Sequence, residues 1–176
     1  MSEFSTSVWK SPLGDLVVVE EKGALVACCL KRHFPTIRKQ LALPPLKQLL
    51  KAPRSAGLRA LEGRLKNYFS GKLNALQGVK RGKSGTPFQQ AVWGALSEIR
   101  AGELRSYKQI AKRVSRPKAV RAVGSACGAN PFLLFVPCHR VVAASGQLGG
   151  FSSGLDNKLH LLSHENVLSC SCPNCS

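Results

Sequence analysis

The chain reads as a small α/β domain followed by a mostly helical domain built around a helix-turn-helix, and three observations predict this. Two β-rich runs, Leu16 to Glu20 and Leu25 to Leu30, flank a Glu21-Lys22-Gly23 turn near the start. A basic, small-residue stretch without periodicity, Lys80-Arg81-Gly82-Lys83-Ser84-Gly85, interrupts the chain near its middle. Beyond it, apolar positions recur at helical spacing in successive short segments, each opened by a capping residue or a proline. The expected organisation is an α/β domain over 1–79, a linker at 80–85, a helix-turn-helix domain over 86–168, and a cysteine-rich tail at 169–176.

Each element has its own justification. Ser11-Pro12-Leu13-Gly14 is the turn before the hairpin, and residues 35–57, with Pro35, Pro44, Pro45 and Pro53, leave room for a short helix at most. Leu58, Leu61, Leu65, Tyr68 and Phe69 form a helical stripe that Gly71 stops, and this helix is expected to pack on the hairpin. Thr86 before Pro87 is an N-cap with proline at the first helical position, and Phe88, Val92, Leu96 and Ile99, widened by Trp93, make a stripe that ends before Gly102. Ser106 caps a helix over Tyr107 to Arg113 with Ile110, Ala111 and Val114 facing inward. Pro117 is expected to open the next helix, with Ala119, Val120, Ala122, Val123 and Ala126. Asn130 to Val136 is an apolar run read as a buried strand, which delivers Pro137-Cys138-His139-Arg140 to the surface. A last helix runs from Leu155 to Asn166 with Leu155, Leu159 and Leu162 on one face. No internal repeat is visible.

Composition narrows the functional classes. A chain of 176 residues, 44% of them apolar, can bury one good core or two small ones, and no apolar run approaches the length of a bilayer span. The start, Met1-Ser2-Glu3-Phe4-Ser5, has no basic and apolar signal pattern, so an intracellular, reducing setting is expected, with the seven cysteines mostly thiols. An odd cysteine count argues against a complete disulfide framework. Against 9 acids stand 26 lysines and arginines, a formal charge of +17, which favours a polyanion such as nucleic acid because phosphate neutralisation releases condensed counterions. Between Arg100 and Arg121 lie Arg105, Lys108, Lys112, Arg113, Arg116 and Lys118 with Glu103 as the one acid, so charge concentrates on the helix-turn-helix.

Chemistry points to Cys138. A cysteine attacks as its thiolate, and a free pKa of about 8.5 makes a neighbouring imidazole, cation or helix N-terminus necessary near neutral pH. His139 and Arg140 stand beside it. Reading outward come Arg121-Ala122-Val123-Gly124, Asn130-Pro131, Pro137-Cys138-His139-Arg140-Val141-Val142, then Gly146, Gly149, Phe151-Ser152, Gly154-Leu155, Lys158 and His164-Glu165. With Thr86-Pro87-Phe88, Val92-Trp93, Gly102-Glu103 and Ser106-Tyr107, this half of the chain resembles the O6-alkylguanine-DNA alkyltransferases, also called methylated-DNA–protein-cysteine methyltransferases. The first 85 residues resemble that family loosely, chiefly through Ser11-Pro12-Leu13-Gly14.

The resemblance implies a ribonuclease H-like first domain and a winged-helix-like second one. It implies DNA repair by single-turnover transfer of a methyl or other alkyl group from O6 of guanine in double-stranded DNA to Cys138. His139 would be the base, acting through a water, Glu165 would orient it, and Tyr107 would be the acid that protonates N3 of the leaving guanine. Asn130 would join the recognition helix to the active-site loop, and Lys158 would help polarise the site. Phe151 would wall the ring and Ser152 stand at O6, with Cys127 in the pocket wall and the carbonyls of Cys138 and Val141 accepting from the exocyclic amine. Arg121 would fill the gap left by a flipped nucleotide, and Ser106, Lys118, Ala119, Ala122, Ser125 and Ala126 would contact DNA, the small side chains letting the helix enter the minor groove. Phe151 departs from the usual tyrosine and Cys127 from a larger apolar residue.

No cofactor is expected, since the protein accepts the alkyl group itself, and no metal, although Cys170, Cys172 and Cys175 resemble half of a zinc site. Cys28, Cys29 and His33 are adjacent rather than spaced as ligands. The expected partner is double-stranded DNA bearing O6-alkylguanine, bound by a monomer with no membrane role, in the nucleus or, in a prokaryote, the cytoplasm. The alternatives are a non-catalytic alkyl-lesion-binding relative, a helix-turn-helix regulator with a cysteine sensor, and a Cys-His hydrolase.

Overall fold

The structure is a computed structural model and describes residues 4–167. It opens with an antiparallel meander of β1 (Phe4–Ser11), β2 (Gly14–Glu21) and β3 (Ala24–Leu30). The hairpin over Glu21-Lys22-Gly23 forms as the sequence predicts, with Lys22 and Gly23 both at positive φ. β1 was not anticipated. Its serines explain why: Ser5 and Ser7 lie in the sheet yet are buried, and their hydroxyls donate to the Pro53 carbonyl at 3.0 Å and to Glu62 at 2.6 Å.

Both faces of the sheet are covered. One packs on α3 (Ala56–Phe69), which is capped by Ser55 and buries Leu58, Leu61, Leu65 and Tyr68; Trp9 stacks on Phe69 at 5.8 Å. The other face, carrying Val17, Val19, Ala27 and Cys29, packs with Phe34, Ile37, Leu43 and Leu49 from the proline-rich stretch. That stretch forms two helices, α1 (Phe34–Gln40) and α2 (Leu46–Leu49), rather than one. Pro35 at the start of α1 and Pro45 just before α2 are tolerated because the first helical N–H groups need no partner within the helix.

The outer edge of β3 is also occupied. Leu25 exchanges backbone hydrogen bonds with Lys80 and Gly82 at 2.8 Å, so the stretch expected as a free linker is docked on the sheet. Cys28 does the same with Pro131 and Leu133, again at 2.8 Å. Residues through Ser70, 75–85 and Pro131–Phe135 therefore make one compact unit, and 71–74, Thr86–Asn130 and the chain from Val136 make a second. The apolar run at 130–136 is buried but is not the strand expected: apart from the single bridge at Phe132 it turns, with Leu134 at φ 72°. Pro131 and Pro137 lack the N–H groups that a ladder would need.

In the second unit, α4 (Pro87–Ser97) begins with a capping box between Thr86 and Gln89. β4 (Arg105–Ser106) leads into α5 (Tyr107–Arg113), whose capping box pairs Ser106 with Gln109. After a turn with Ser115 at φ 57° comes α6 (Val120–Gly128), three residues later than Pro117 suggested, because Arg116 to Ala119 close a turn of their own. Trp93 holds α4 to α6 by donating to the Ala126 carbonyl at 2.8 Å. β5 (Val141–Val142) pairs in parallel with β4, and α7 (Leu155–His164) buries Lys158, Leu161 and Leu162. Leu155 and Leu159, expected on its inner face, are 50% and 40% exposed. Among the described residues no helix is long and apolar enough to cross a membrane. Cys170, Cys172 and Cys175 lie outside the described residues.

Candidate active site

Local backbone chemistry positions Cys138, the candidate nucleophile. Pro137 sits at φ −80° and ψ 65°, an inverse γ-turn in which the Cys138 N–H donates to the Val136 carbonyl at 2.8 Å, and a 3-10 turn over Cys138–Arg140 follows. Cys138 is nearly buried, not at the surface. At the end of α6, Asn130 uses one side-chain amide to donate to the Val136 carbonyl at 2.9 Å and to the Cys138 Sγ at 3.4 Å, linking that helix to the active-site turn.

His139, Arg140 and Glu165 form a buried, hydrogen-bonded cluster. His139 Nε2 lies 2.9 Å from Glu165 Oε1; Arg140 donates from Nε to Oε2 at 2.8 Å and from Nη2 to Oε1 at 2.7 Å, and its Nη1 reaches the Ile99 carbonyl at 2.5 Å. Burial alone would raise the Glu165 pKa, but the hydrogen bonds from His139 and Arg140 outweigh it and hold the carboxyl well below the usual range. Burial pushes the His139 pKa down, against the pull of Glu165. A neutral imidazole facing a carboxylate must carry its proton on Nε2, which leaves Nδ1 as a basic lone pair; Nδ1 is buried with no hydrogen-bond partner among the described residues. Arg140 was expected to favour the thiolate. It is instead committed to Glu165.

The thiol itself rests protonated. Burial pushes the Cys138 pKa up, opposed by the Asn130 hydrogen bond, the charge of Lys158 and the backbone N–H groups of Cys138 and His139. Lys158 is fully buried, its pKa lowered by burial; its ammonium donates to the Val141 carbonyl at 2.6 Å and to the Leu148 carbonyl, stapling the 143–150 loop to β5.

Cys138 opens onto a cavity of about 440 Å³. Tyr107, Cys127, Phe151 and Ser152 line it, as do Val120, Arg121, Gly124, Gly128 and Gly150. The Tyr107 hydroxyl donates to the Gly150 carbonyl at 3.3 Å, and burial, then Cys127 and Cys138, raises its pKa, so it remains a proton donor. Gly149, at φ 66°, lies so close that a Cβ there would stand 3.0 Å from the Tyr107 ring. Phe151 meets His139 edge-on at 6.4 Å.

Not every residue singled out from the sequence reaches this cavity. Val141 is buried elsewhere, its carbonyl already accepting from Lys158, and the Cys138 carbonyl accepts from the Val141 N–H. Of the proposed DNA contacts, Arg121, Ala122, Ser125 and Lys118 are exposed and Ala119 half-buried, whereas Ser106 is spent on capping α5. Ala126 is 2% exposed and cannot touch DNA; its carbonyl accepts from Trp93 of α4. Sequence reasoning gave Val120 no part in the site, and missed the fork of Arg140 on Glu165; the signal available for the latter was an arginine beside the histidine, with one of the chain's few acids downstream. Among the described residues no group of three or more His, Cys, Asp or Glu could hold a metal.

Known proteins resemble this chain in sequence and fold. The family model for the 6-O-methylguanine DNA methyltransferase DNA-binding domain matches residues 87–167. The chain is 38% identical to a methylated-DNA–protein-cysteine methyltransferase of Methanosarcina acetivorans over 159 residues, 90% of this chain and 96% of that one. It is 52% identical to the Methanosarcina mazei protein of that name over 107 residues, 61% of this chain and 67% of that one. Mycobacterium tuberculosis OGT in complex with DNA matches with a TM-score of 0.74 at 35% identity, covering 92% of this chain and 91% of that one. On this identity across nine-tenths of its length, the chain belongs to the methylated-DNA–protein-cysteine methyltransferase family.

Proposed function

We propose that this protein repairs DNA by moving an alkyl group from O6 of guanine in duplex DNA onto Cys138, once per molecule. The observation that carries the reading is the cavity that Cys138 and Tyr107 share, with exposed Arg121 on its rim. Its volume suits a flipped base, and the glycines and small side chains of α6 let a duplex approach. Arg121 takes the place of the extruded nucleotide, with Lys118, Ala119, Ala122 and Ser125 against the groove.

In the reaction, the thiol proton passes to His139 Nδ1 through a water, Sγ attacks the alkyl carbon in line, the carbon–oxygen bond breaks and a thioether forms. Tyr107 donates a proton to N3, so the purine leaves neutral, and the imidazolium proton returns through solvent to the phenolate. Glu165 fixes the imidazole, Arg140 fixes Glu165, and Asn130 and Lys158 hold the turn and the loop that frame the base. Ser152 stands at O6 and Phe151 and Cys127 complete the wall. A thioether is a poor leaving group, so the transfer is not reversed and needs no cofactor.

The proposal includes a monomer, a ribonuclease H-like first unit, supported by the meander with α3 on it, and a winged-helix-like second unit, supported by α5 and α6. The compartment is wherever the DNA is, the nucleus or a prokaryotic cytoplasm. The test is mass spectrometry of the intact chain after incubation with an O6-methylguanine duplex: one methyl group on Cys138 is expected, and Cys138→Ala should bind the same duplex and gain none. An unmodified wild-type chain in excess lesion would overturn the reading.

A further inference from the structure

Most of the excess charge lies outside the helix-turn-helix. From Lys22 to Ser97 there are fifteen lysines and arginines and a single acid, Glu62. That acid is already taken: Arg54 pairs with it and Ser7 donates to it at 2.6 Å. Solubility needs far less, since a net charge of about 2 to 8 suffices for a small domain.

We propose that the outer side of the α1–α2 layer, presenting Lys31, Lys39, Lys47 and Lys51, is a second surface for the phosphate backbone of duplex DNA. All four lysines are exposed. Phe34, Ile37, Leu43 and Leu49 of this layer are turned into the core against Val17, Val19, Ala27 and Cys29, while the four lysines, Lys31 in the 3-10 turn that precedes α1 among them, stay in solvent. The Arg38 guanidinium closes this layer on itself by donating to the Leu43 carbonyl at 3.0 Å, so the lysines stand on a braced scaffold. The apolar face that an interfacial helix would insert into lipid is already buried, with Leu50 the one large apolar side chain of this layer left exposed, so a membrane is a poor fit. Point charges without a planar fork suit phosphates and read no sequence. The choice of DNA as the polyanion rests on the repair reading.

The test replaces all four lysines, as Lys31→Gln, Lys39→Gln, Lys47→Gln and Lys51→Gln in one chain, and measures binding of an undamaged duplex of about 40 base pairs across salt concentrations. The slope of log K against log salt should become shallower by up to about 3.6, at about 0.9 for each phosphate no longer neutralised. Methyl transfer from a saturating lesion duplex should keep its rate. An unchanged slope overturns the inference, as does a loss of binding confined to phosphatidylserine vesicles. In the wild-type protein, which escapes any folding defect, acetylation of these four lysines should be suppressed by the undamaged duplex, and equal labelling with and without DNA overturns the inference too. Failure of the wild-type chain to accept a methyl group would instead strike the repair reading.

Discussion

Glu165→Gln tests the electrostatic centre of the site. Glu165 is 2% exposed and accepts three N–H groups, one from His139 and two from Arg140, itself 6% exposed. The amide keeps one acceptor oxygen and turns an NH2 group toward donors, so the Arg140 charge stays buried without its counter-ion. Removing one partner of a buried pair costs about 3–5 kcal/mol. For a chain of this size each kcal/mol lowers Tm by about 2–4 °C, so a fall of roughly 6–20 °C is expected in thermal unfolding followed by circular dichroism. Methyl transfer, timed by intact mass under single-turnover conditions, should slow by on the order of 10²–10⁴, since a triad histidine without its orienting carboxylate loses the productive tautomer. Adding Arg140→Met removes the stranded charge and should recover much of the stability while leaving transfer slow. A Glu165→Gln protein within about 0.5 kcal/mol of wild type would refute the reasoning, because the carboxylate would then not be holding a buried cation.

Asn130→Ala strands the Val136 carbonyl and removes the donor to Sγ, so stability should fall by about 1–3 kcal/mol and the pH dependence of Cys138 alkylation by iodoacetamide should move to higher pH; an unmoved profile would remove Asn130 from thiol activation. Gly149→Ala places a Cβ against the Tyr107 ring at a φ that costs an L residue roughly 1–2 kcal/mol, so transfer should slow while affinity for undamaged DNA, read by fluorescence anisotropy, stays put. Acid should destabilise the fold in two stages. Burial lowers the His139 pKa, and the bonds from His139 and Arg140 overcome burial to lower that of Glu165, so both groups bind fewer protons folded than unfolded. Their contribution is present above unfolded pKa values of about 6.5 and 4.3 and is lost as pH falls below each, so urea midpoints should drop below about pH 6.5 and again between about pH 4 and pH 3; a flat profile would contradict the assignment.

What the sequence made legible was local, and what it hid depended on distant partners. The capping boxes Thr86/Gln89 and Ser106/Gln109 are complete within four residues, so α4 and α5 were found at the right starts. β1 was missed because Ser5 and Ser7 look like surface residues until Pro53 and Glu62 arrive from about fifty positions away to satisfy them. The face of α7 was misjudged because Leu155, Leu159 and Leu162 at helical spacing were read as its buried stripe. Lys158 is inside because two carbonyls, Val141 and Leu148, wait for it, and it rotates Leu155 and Leu159 outward. At the site, the thiol and imidazole were legible as neighbours, while the Arg140–Glu165 fork spans 25 positions and no periodicity predicts it.

The docking of Pro131–Phe135 on β3 bears on dissection of the molecule. A fragment beginning at Thr86 would retain every wall of the cavity. It would nonetheless leave the Pro131 carbonyl and the Leu133 N–H without the Cys28 backbone, and strip Phe132 to Phe135 of the unit they pack in, three residues ahead of the reactive sulfur. Such a fragment should be sticky and slow to react despite a complete set of reactive groups. The amino-terminal half thus serves as a mould for the length of chain that presents the sulfur, and damage there would be felt as failed chemistry.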